Sequence, residues 1–337
     1  MSLCSIILYT ISIIILLSMI VSLVFSYRCE GFRETKSFSR KDYYLGGLSK
    51  IVNIKYSDIP WGKDKVYLID ENILHSDSGF KSNYVNEMSV YYKELRRKYP
   101  SGDYRILLIP GDVIHSFDKF PIISKTRPID KPGMNVILPL NNKRHWKPVS
   151  DAYMLDTLDW DKKNDTIVWR GVATGRDKRV SLVEKWYDYP NKDEIDVAFT
   201  GFNNAYMGSK DSKYIGDRID MRELLENKYL ISVEGNDVAT NLKWILSSKT
   251  VCIMPKPTIE SWLMESQLKP WVHYVPVKSD FSDLKAIYSF CKKNPVIMKQ
   301  IIYNANEYME QFKNQEEEHK LIMDILKTYC DRTNLMF

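Results

Sequence analysis

Residues 229–246 read YLISVEGNDVATNLKWIL. A continuous apolar run, 229–233, stops at Glu234-Gly235-Asn236-Asp237, and helical spacing follows over 238–247. An apolar run this short, closed by a Gly-containing turn, reads as a strand buried in a parallel sheet. The helix after it supplies the crossover to the next strand, with Asp237 placed as its N-cap. The turn then lies at the carboxyl edge of the sheet, where open α/β folds bind ligands.

The alternation continues on both sides. Upstream, residues 165–170 (DTIVWR) read as a strand running into Gly171, with a helix over 177–187 and a strand over 195–199. A short helix at 221–228 precedes the quoted stretch. Downstream, 250–254 and 272–277 read as strands, and 281–292, 295–311 and 314–330 as helices. Nearer the N-terminus, 66–70, 104–109 and 134–138 are strand candidates, and 83–99 is a helix ending at the turn Pro100-Ser101-Gly102. Residues 139–165 are polar and read as a junction. Two strand–helix series joined by a polar junction predict an α/β protein of two Rossmann-like domains.

The chain has 337 residues, room for about two domains at roughly 150 residues each. Its 44% hydrophobic and 27% charged residues exclude wholesale disorder and a polytopic membrane protein. The net charge of +5 is too mild for a dedicated nucleic-acid binder. That charge is unevenly placed, because the first charged side chain is Arg28. Residues 5–27, SIILYTISIIILLSMIVSLVFSY, meet the roughly 20 apolar residues that cross a bilayer as a helix. A cleaved signal peptide is the rival reading, but it carries a cationic start and a shorter apolar run. An uncleaved, single-pass anchor over residues 1–27 is therefore expected. Arg28, Arg33, Lys36, Arg40 and Lys41 follow it directly, which favours a cytoplasmic catalytic side, with a lumenal side as the alternative. Five scattered cysteines without a CxxC suggest neither a disulfide framework nor a zinc site.

Four segments carry candidate chemistry. Residues 167–175, IVWRGVATG, end a strand in Arg-Gly and lead to a helix start, with Arg176 and Arg179 beyond. Gly171 and Gly175 permit close backbone approach, and the arginines suit a diphosphate. The plain alternative is an exposed loop. The turn after 229–233 offers Gly235, Asn236, Thr240 and Lys243, yet has neither GxGxxG nor GxxxxGK[ST]. In 254–278, MPKPTIESWLMESQLKPWVHYVPVK, Glu260 or Glu265 suits sugar hydroxyls, while Trp262, Trp271 and Tyr274 read equally as core. In YRILLIPGD, Asp112 follows a buried strand; it is either a turn residue or a general base facing the crevice. Asp159-Trp160-Asp161 superficially matches a DxD metal motif but sits in the polar junction, as turn or cap residues.

Together, WRGVATG at 169–175, YLISVEGNDVATNLKWILSS at 229–248 and MPKPTIESW…LKPWVHYVPVKSDFSDL at 254–284 resemble glycosyltransferase family 90, most closely its bacterial lipopolysaccharide-modifying members. The resemblance covers about residues 100–310. It implies a GT-B fold: an acceptor-side Rossmann-like domain at 28–150 and a nucleotide-sugar domain at 151–311 facing a cleft, then a C-terminal helix and tail at 312–337. It implies an inverting, metal-independent transfer of glucose or xylose from a UDP-sugar, with no cofactor, to a hydroxyl of a surface glycan or lipopolysaccharide-type acceptor. Asp112 matches the family's catalytic base. Arg170, Gly171, Thr174, Gly175 and Arg179 match the first nucleotide loop; Gly235, Asn236, Ala239, Thr240 and Lys243 match the second; Glu260 matches the acidic position of the third segment. Protein O-glucosyltransferases of the family have an Arg where this chain has Asn241, so Arg179 or Lys243 is expected to neutralise the diphosphate. Transfer to protein serine, a metal-dependent transferase using Asp159 and Asp161, and a non-catalytic glycan-binding relative are the alternatives.

Overall fold

The computed structural model describes residues 38–59, 66–71, 83–174, 176–202 and 213–336. The expected anchor over 1–27 lies outside the described residues. Among the described residues no helix is long and apolar enough to cross a membrane.

The strands are β1 (Val52–Lys55), β2 (Tyr67–Ile69), β3 (Ile106–Ile109), β4 (Ile122–Ser124), β5 (Arg127–Pro128), β6 (Asn135–Ile137), β7 (Asn164–Ala173), β8 (Ile195–Phe202), β9 (Asn227–Ile231), β10 (Val251–Met254), β11 (Ile259–Glu260), β12 (Val275–Pro276) and β13 (Thr333–Met336). The helices are α1 (Arg40–Leu45), α2 (Asn83–Lys98), α3 (Asn142–His145), α4 (Lys147–Leu155), α5 (Arg176–Trp186), α6 (Met221–Leu225), α7 (Leu242–Leu246), α8 (Leu284–Lys293), α9 (Pro295–Glu310) and α10 (Gln315–Arg332). Lys41–Phe337 form one compact unit.

Two sheets carry this mixed α/β fold. The larger has the order β12-β10-β9-β7-β8, with every pairing parallel. Alternate residues of its strands enter different cores. Val168, Leu230 and Cys252 pack on one face, and Ile167, Tyr229, Ile231 and Val251 on the other. Both faces are thus covered, as parallel sheets require. The order runs outward in both directions from β7 and β9, so the crevice between their carboxyl ends is the topological switch point. The smaller sheet, β2-β3-β4-β6, is parallel except for β2 against β3. Its β3, ILLI, is buried along its whole length.

Helix α2 shows why the apolar period predicts packing well. Tyr84, Val85, Met88, Tyr91, Tyr92 and Leu95 form one buried stripe, and Arg96, Arg97 and Lys98 complement the C-terminal dipole. Helix α10 begins on Asn314, whose side chain accepts from the Glu316 and Glu317 amides. It then returns to the first half of the chain. The Tyr329 hydroxyl accepts from the Leu107 amide at 3.2 Å and donates to the Pro121 carbonyl at 3.1 Å. The C-terminal β13 pairs in parallel with β1.

Several elements differ from the sequence reading. The polar junction at 139–165 contains α3 and α4. The helix expected over 238–247 is only α7, because the Asn241 side chain bonds the Ile231 carbonyl and Ser232 and holds the preceding residues in turns. Asp237 is not its N-cap, since its carboxylate is drawn to Lys125. The strand expected over 272–277 shrinks to β12. Before it the chain turns, with Trp271 at φ 60° and its amide donating to the Tyr274 carbonyl. Strands β1, β4, β5, β11 and β13 are too short to show a period in sequence.

Lys163 fastens the end of α4 to the larger sheet. Its buried ammonium donates to Asp156 at 2.5 Å, to Thr250 at 3.3 Å and to the Leu225 carbonyl. Lys163→Ala leaves Asp156 a buried, unpaired charge, which costs about 3–5 kcal/mol. Urea unfolding should show a midpoint lowered accordingly.

Candidate active site

The switch-point crevice opens into a cavity of about 580 Å³. One wall comes from the carboxyl end of β7 (Trp169, Arg170, Gly171, Val172), from Thr174 and from Arg179 of α5 beyond it, and from the turn after β9 (Gly235, Asn236, Asp237, Val238, Thr240 and Asn241). Asp112, after β3, and Arg144, on α3, complete it. Strands from both sheets therefore aim their carboxyl ends at one space, which explains how residues distant in sequence meet there.

Asp112 is exposed to the cavity and accepts from the Lys125 ammonium at 2.8 Å and from the Asn236 amide at 3.2 Å. Burial alone would raise its carboxyl, but the Lys125 charge and these hydrogen bonds hold it below the usual carboxylate range. Lys125 follows β4, is only 2% exposed, and also reaches Asp237 at 2.7 Å. Burial disfavours its charge, yet the two carboxylates keep its ammonium above the usual lysine range. Thr126 donates to the Val113 carbonyl at 2.8 Å and accepts from the Val113 amide, which fixes the backbone just after Asp112.

Across the cavity, Arg179 lies over the Trp169 ring at 5.9 Å. It donates to the Val172 carbonyl at 2.9 Å, to Thr174 at 2.8 Å and to the Val233 carbonyl at 3.0 Å. Burial pushes its guanidinium down to about 10, so it stays charged at neutral pH. Among the described residues neither Arg179 nor Arg144 has a carboxylate in ion-pair range. Two cations lining one cavity without an ion-pair partner among the described residues favour an anionic ligand. The Gly235 backbone packs against this arrangement: a Cβ there would meet Arg179 Nη2 at 2.8 Å and Thr174 Oγ1 at 3.1 Å.

Of the residues expected from sequence, Asp112, Arg170, Gly171, Thr174, Arg179, Gly235, Asn236 and Thr240 line the cavity. Arg170 is turned toward β8, paired with Asp196 at 2.6 Å. Gly171 accommodates the Trp169 indole, which a Cβ would meet at 2.6 Å. Gly175 lies outside the described residues. Three others are elsewhere. Ala239 is buried on the back of the turn, facing a smaller pocket with Val238 and Leu242. Lys243 is fully buried, 3.5 Å from Glu265 and 5.3 Å from the Trp262 ring centre; burial lowers its ammonium's proton affinity. It faces the core because α7 starts late, which turns that side chain inward. Glu260 is 3% exposed and binds Arg127 at 2.8 Å and the Tyr43 hydroxyl, joining β11 to β5. Asp159 directly precedes, and Asp161 lies within, the 3₁₀ turn Trp160–Lys162. Asp159 pairs with Lys162 and Lys249, and Asp161 with Lys299. Among the described residues no cluster of His, Cys, Asp and Glu is placed to hold a metal ion.

Arg144, Lys125 and Asp237 were not singled out for chemistry by the sequence reading. Arg144 sits in the apparent junction, and Lys125 follows a three-residue strand. Only Asp237 lay in a recognised motif, with a different role.

Comparison with known proteins bears on the family. The model of the family "Glycosyl transferase family 90" matches residues 139–335, a range that begins after Asp112 and Lys125. "O-glucosyltransferase LpsA" of Dichelobacter nodosus is 35% identical over 245 residues, 72% of each chain. Protein O-glucosyltransferase 1 of Rattus norvegicus is 30% identical over 155 residues, 44% of this chain and 38% of that protein. A solved sucrose-phosphate synthase of Thermosynechococcus elongatus shares 15% identity at a TM-score of 0.37, over 58% of this chain and 52% of its own.

Gly235→Ala should destabilise the protein by about 1–3 kcal/mol, because Arg179 is held by backbone carbonyls and cannot swing away. Chemical denaturation measures it, and Arg179→Ala in the same background should recover part of the loss.

Proposed function

The chain belongs to glycosyl transferase family 90 and is a glycosyltransferase; on that premise we propose that it moves glucose or xylose from a UDP-sugar to a hydroxyl of a surface glycan or lipopolysaccharide-type acceptor, with inversion and without a metal. The observation that carries the reading is one cavity lined by the Asp112 carboxylate and by two arginines, Arg144 and Arg179, that have no ion-pair partner among the described residues. Asp112 takes the proton of the acceptor hydroxyl. The freed oxygen attacks the anomeric carbon from the face opposite the diphosphate. The bond from that carbon to the diphosphate oxygen breaks, and its electron pair leaves with UDP. Arg179, Arg144 and the amides of the 235–240 turn stabilise that developing charge. Arg170 is occupied by Asp196 and positions β7 against β8.

We read the two sheets as the halves of a GT-B arrangement, with the donor held by the loops after β7 and β9. Glucose is favoured because both relatives carry O-glucosyltransferase names. A glycan acceptor follows from the motifs' resemblance to the lipopolysaccharide-modifying members; the LpsA match extends over 72% of both chains, the protein O-glucosyltransferase match over less than half of either. The lysines paired with Asp159 and Asp161 support a metal-independent mechanism. Residues 1–27 would tether the enzyme to a membrane, with its catalytic part on the cytoplasmic side.

Asp112→Asn should reduce UDP-glucose turnover by at least 100-fold while UDP binding, measured by calorimetry, changes little. Undiminished turnover would remove Asp112 as the base. Arg179→Ala should instead weaken UDP binding at least tenfold, and EDTA should leave wild-type turnover unchanged; a metal-dependent enzyme would lose it.

A further inference from the structure

The Asp112–Lys125 pair has a third member that the transfer as described does not use. Asp237 is 5% exposed, lies on the donor-side turn, and accepts from Lys125 at 2.7 Å, with the Thr126 hydroxyl 3.2 Å away. One buried ammonium thus serves two carboxylates, one after β3 and one after β9. The neighbouring turn residue Asn236 donates to the other oxygen of Asp112.

We propose that Asp237 is a positioning residue for the transfer: through the shared Lys125 it readies Asp112 to take the acceptor's proton, and does so only while the 234–241 turn is in place. This rests on Asp112 being the base. The charge count gives the reason. Burial raises the Asp237 carboxyl while the Lys125 ammonium draws it down; with both carboxylates ionised, Asp112, Lys125 and Asp237 together carry one net negative charge. When the acceptor's O–H bond breaks and its proton moves to an Asp112 oxygen, the trio becomes neutral, and Lys125 keeps Asp237 as its counter-ion. Without Asp237, the same transfer would leave Lys125 a buried cation with no carboxylate partner, which is costly. Asp237 therefore offsets the pull of Lys125, which on its own would make Asp112 a weak base. Because Asp237 and Asn236 belong to the turn that would hold the diphosphate, base and donor site are assembled by the same backbone.

Other charged groups face the trio, and Arg179 of α5 and Asp237 attract each other from neighbouring positions of the cavity. Arg144 acts on Asp112 from α3. Tyr84 of α2 presents its ring to Lys125 at 5.8 Å. Lys243 of α7 acts on Asp237 from behind, paired with Glu265. His145 is buried and pushed down to about 2, so it adds no charge near neutral pH.

The test is the pH profile of UDP-glucose turnover by the full chain, with UDP affinity and thermal melting recorded for each variant. Asp237→Asn should move the acid limb to lower pH and reduce plateau turnover several-fold. Lys125→Met should move that limb to higher pH, since Asp112 and Asp237 are then unshielded neighbours. A purely structural role would lower turnover by one factor at every pH and leave both limbs in place, which would overturn the proposal. If Lys125→Met does not fold, the Asp237→Asn limb decides alone. If Asp112→Asn retains turnover, the base assignment fails and takes this proposal with it. If Asp112→Asn is inactive and the Asp237→Asn limb is unmoved, only this proposal falls.

Discussion

The buried Lys125 ammonium, held between Asp112 at 2.8 Å and Asp237 at 2.7 Å, joins the carboxyl edges of two sheets. A charge this deep is tolerated only with partners, and it has one from each side of the cavity. Whatever places Lys125 therefore also sets the distance across the candidate site. The fully buried β3 and β4 do so from the smaller sheet, and β9 with its turn from the larger. Remove that ion trio and the cavity loses the contact that orders its two walls.

The rest of the chain supports those walls. The Arg127–Glu260 pair ties β5 to β11 just beyond Lys125, and Lys163 anchors α4 to the start of β10. Helix α10 and β13 return to the first half and pack on β3 and β1. These are buried polar contacts between segments far apart in sequence. Each specifies which segments meet, more than it adds to net stability.

Much of the architecture was legible before the structure. The parallel sheet follows from apolar runs such as 229–233 and 251–254, each closed by a turn. The stripe of α2 follows from its period. The Asp112 reading and the two loops around Arg179 and Gly235 led to residues that do share a cavity. Lys243 and Glu260 show where motif matching stops. Both belong to the matching segments, yet both are buried in ion pairs, because the side on which a residue emerges depends on where a helix starts or which strand pairs with it. Lys125 and Arg144 gave no local signal at all.

By itself, the sequence determined the succession of the longer strands and helices and the α/β class. Its long motifs also determined the family. Those features are written in nearest-neighbour patterns: burial period, turn residues and the spacing of glycines. Only the tertiary structure decided that Asp112 faces Asn236, that Lys125 serves two carboxylates, and that Arg179 rather than Lys243 reaches the cavity. Charge pairing across 100 or more residues, as between Lys125 and Asp237, depends on which strand ends the sheets bring together, and no local pattern encodes that meeting.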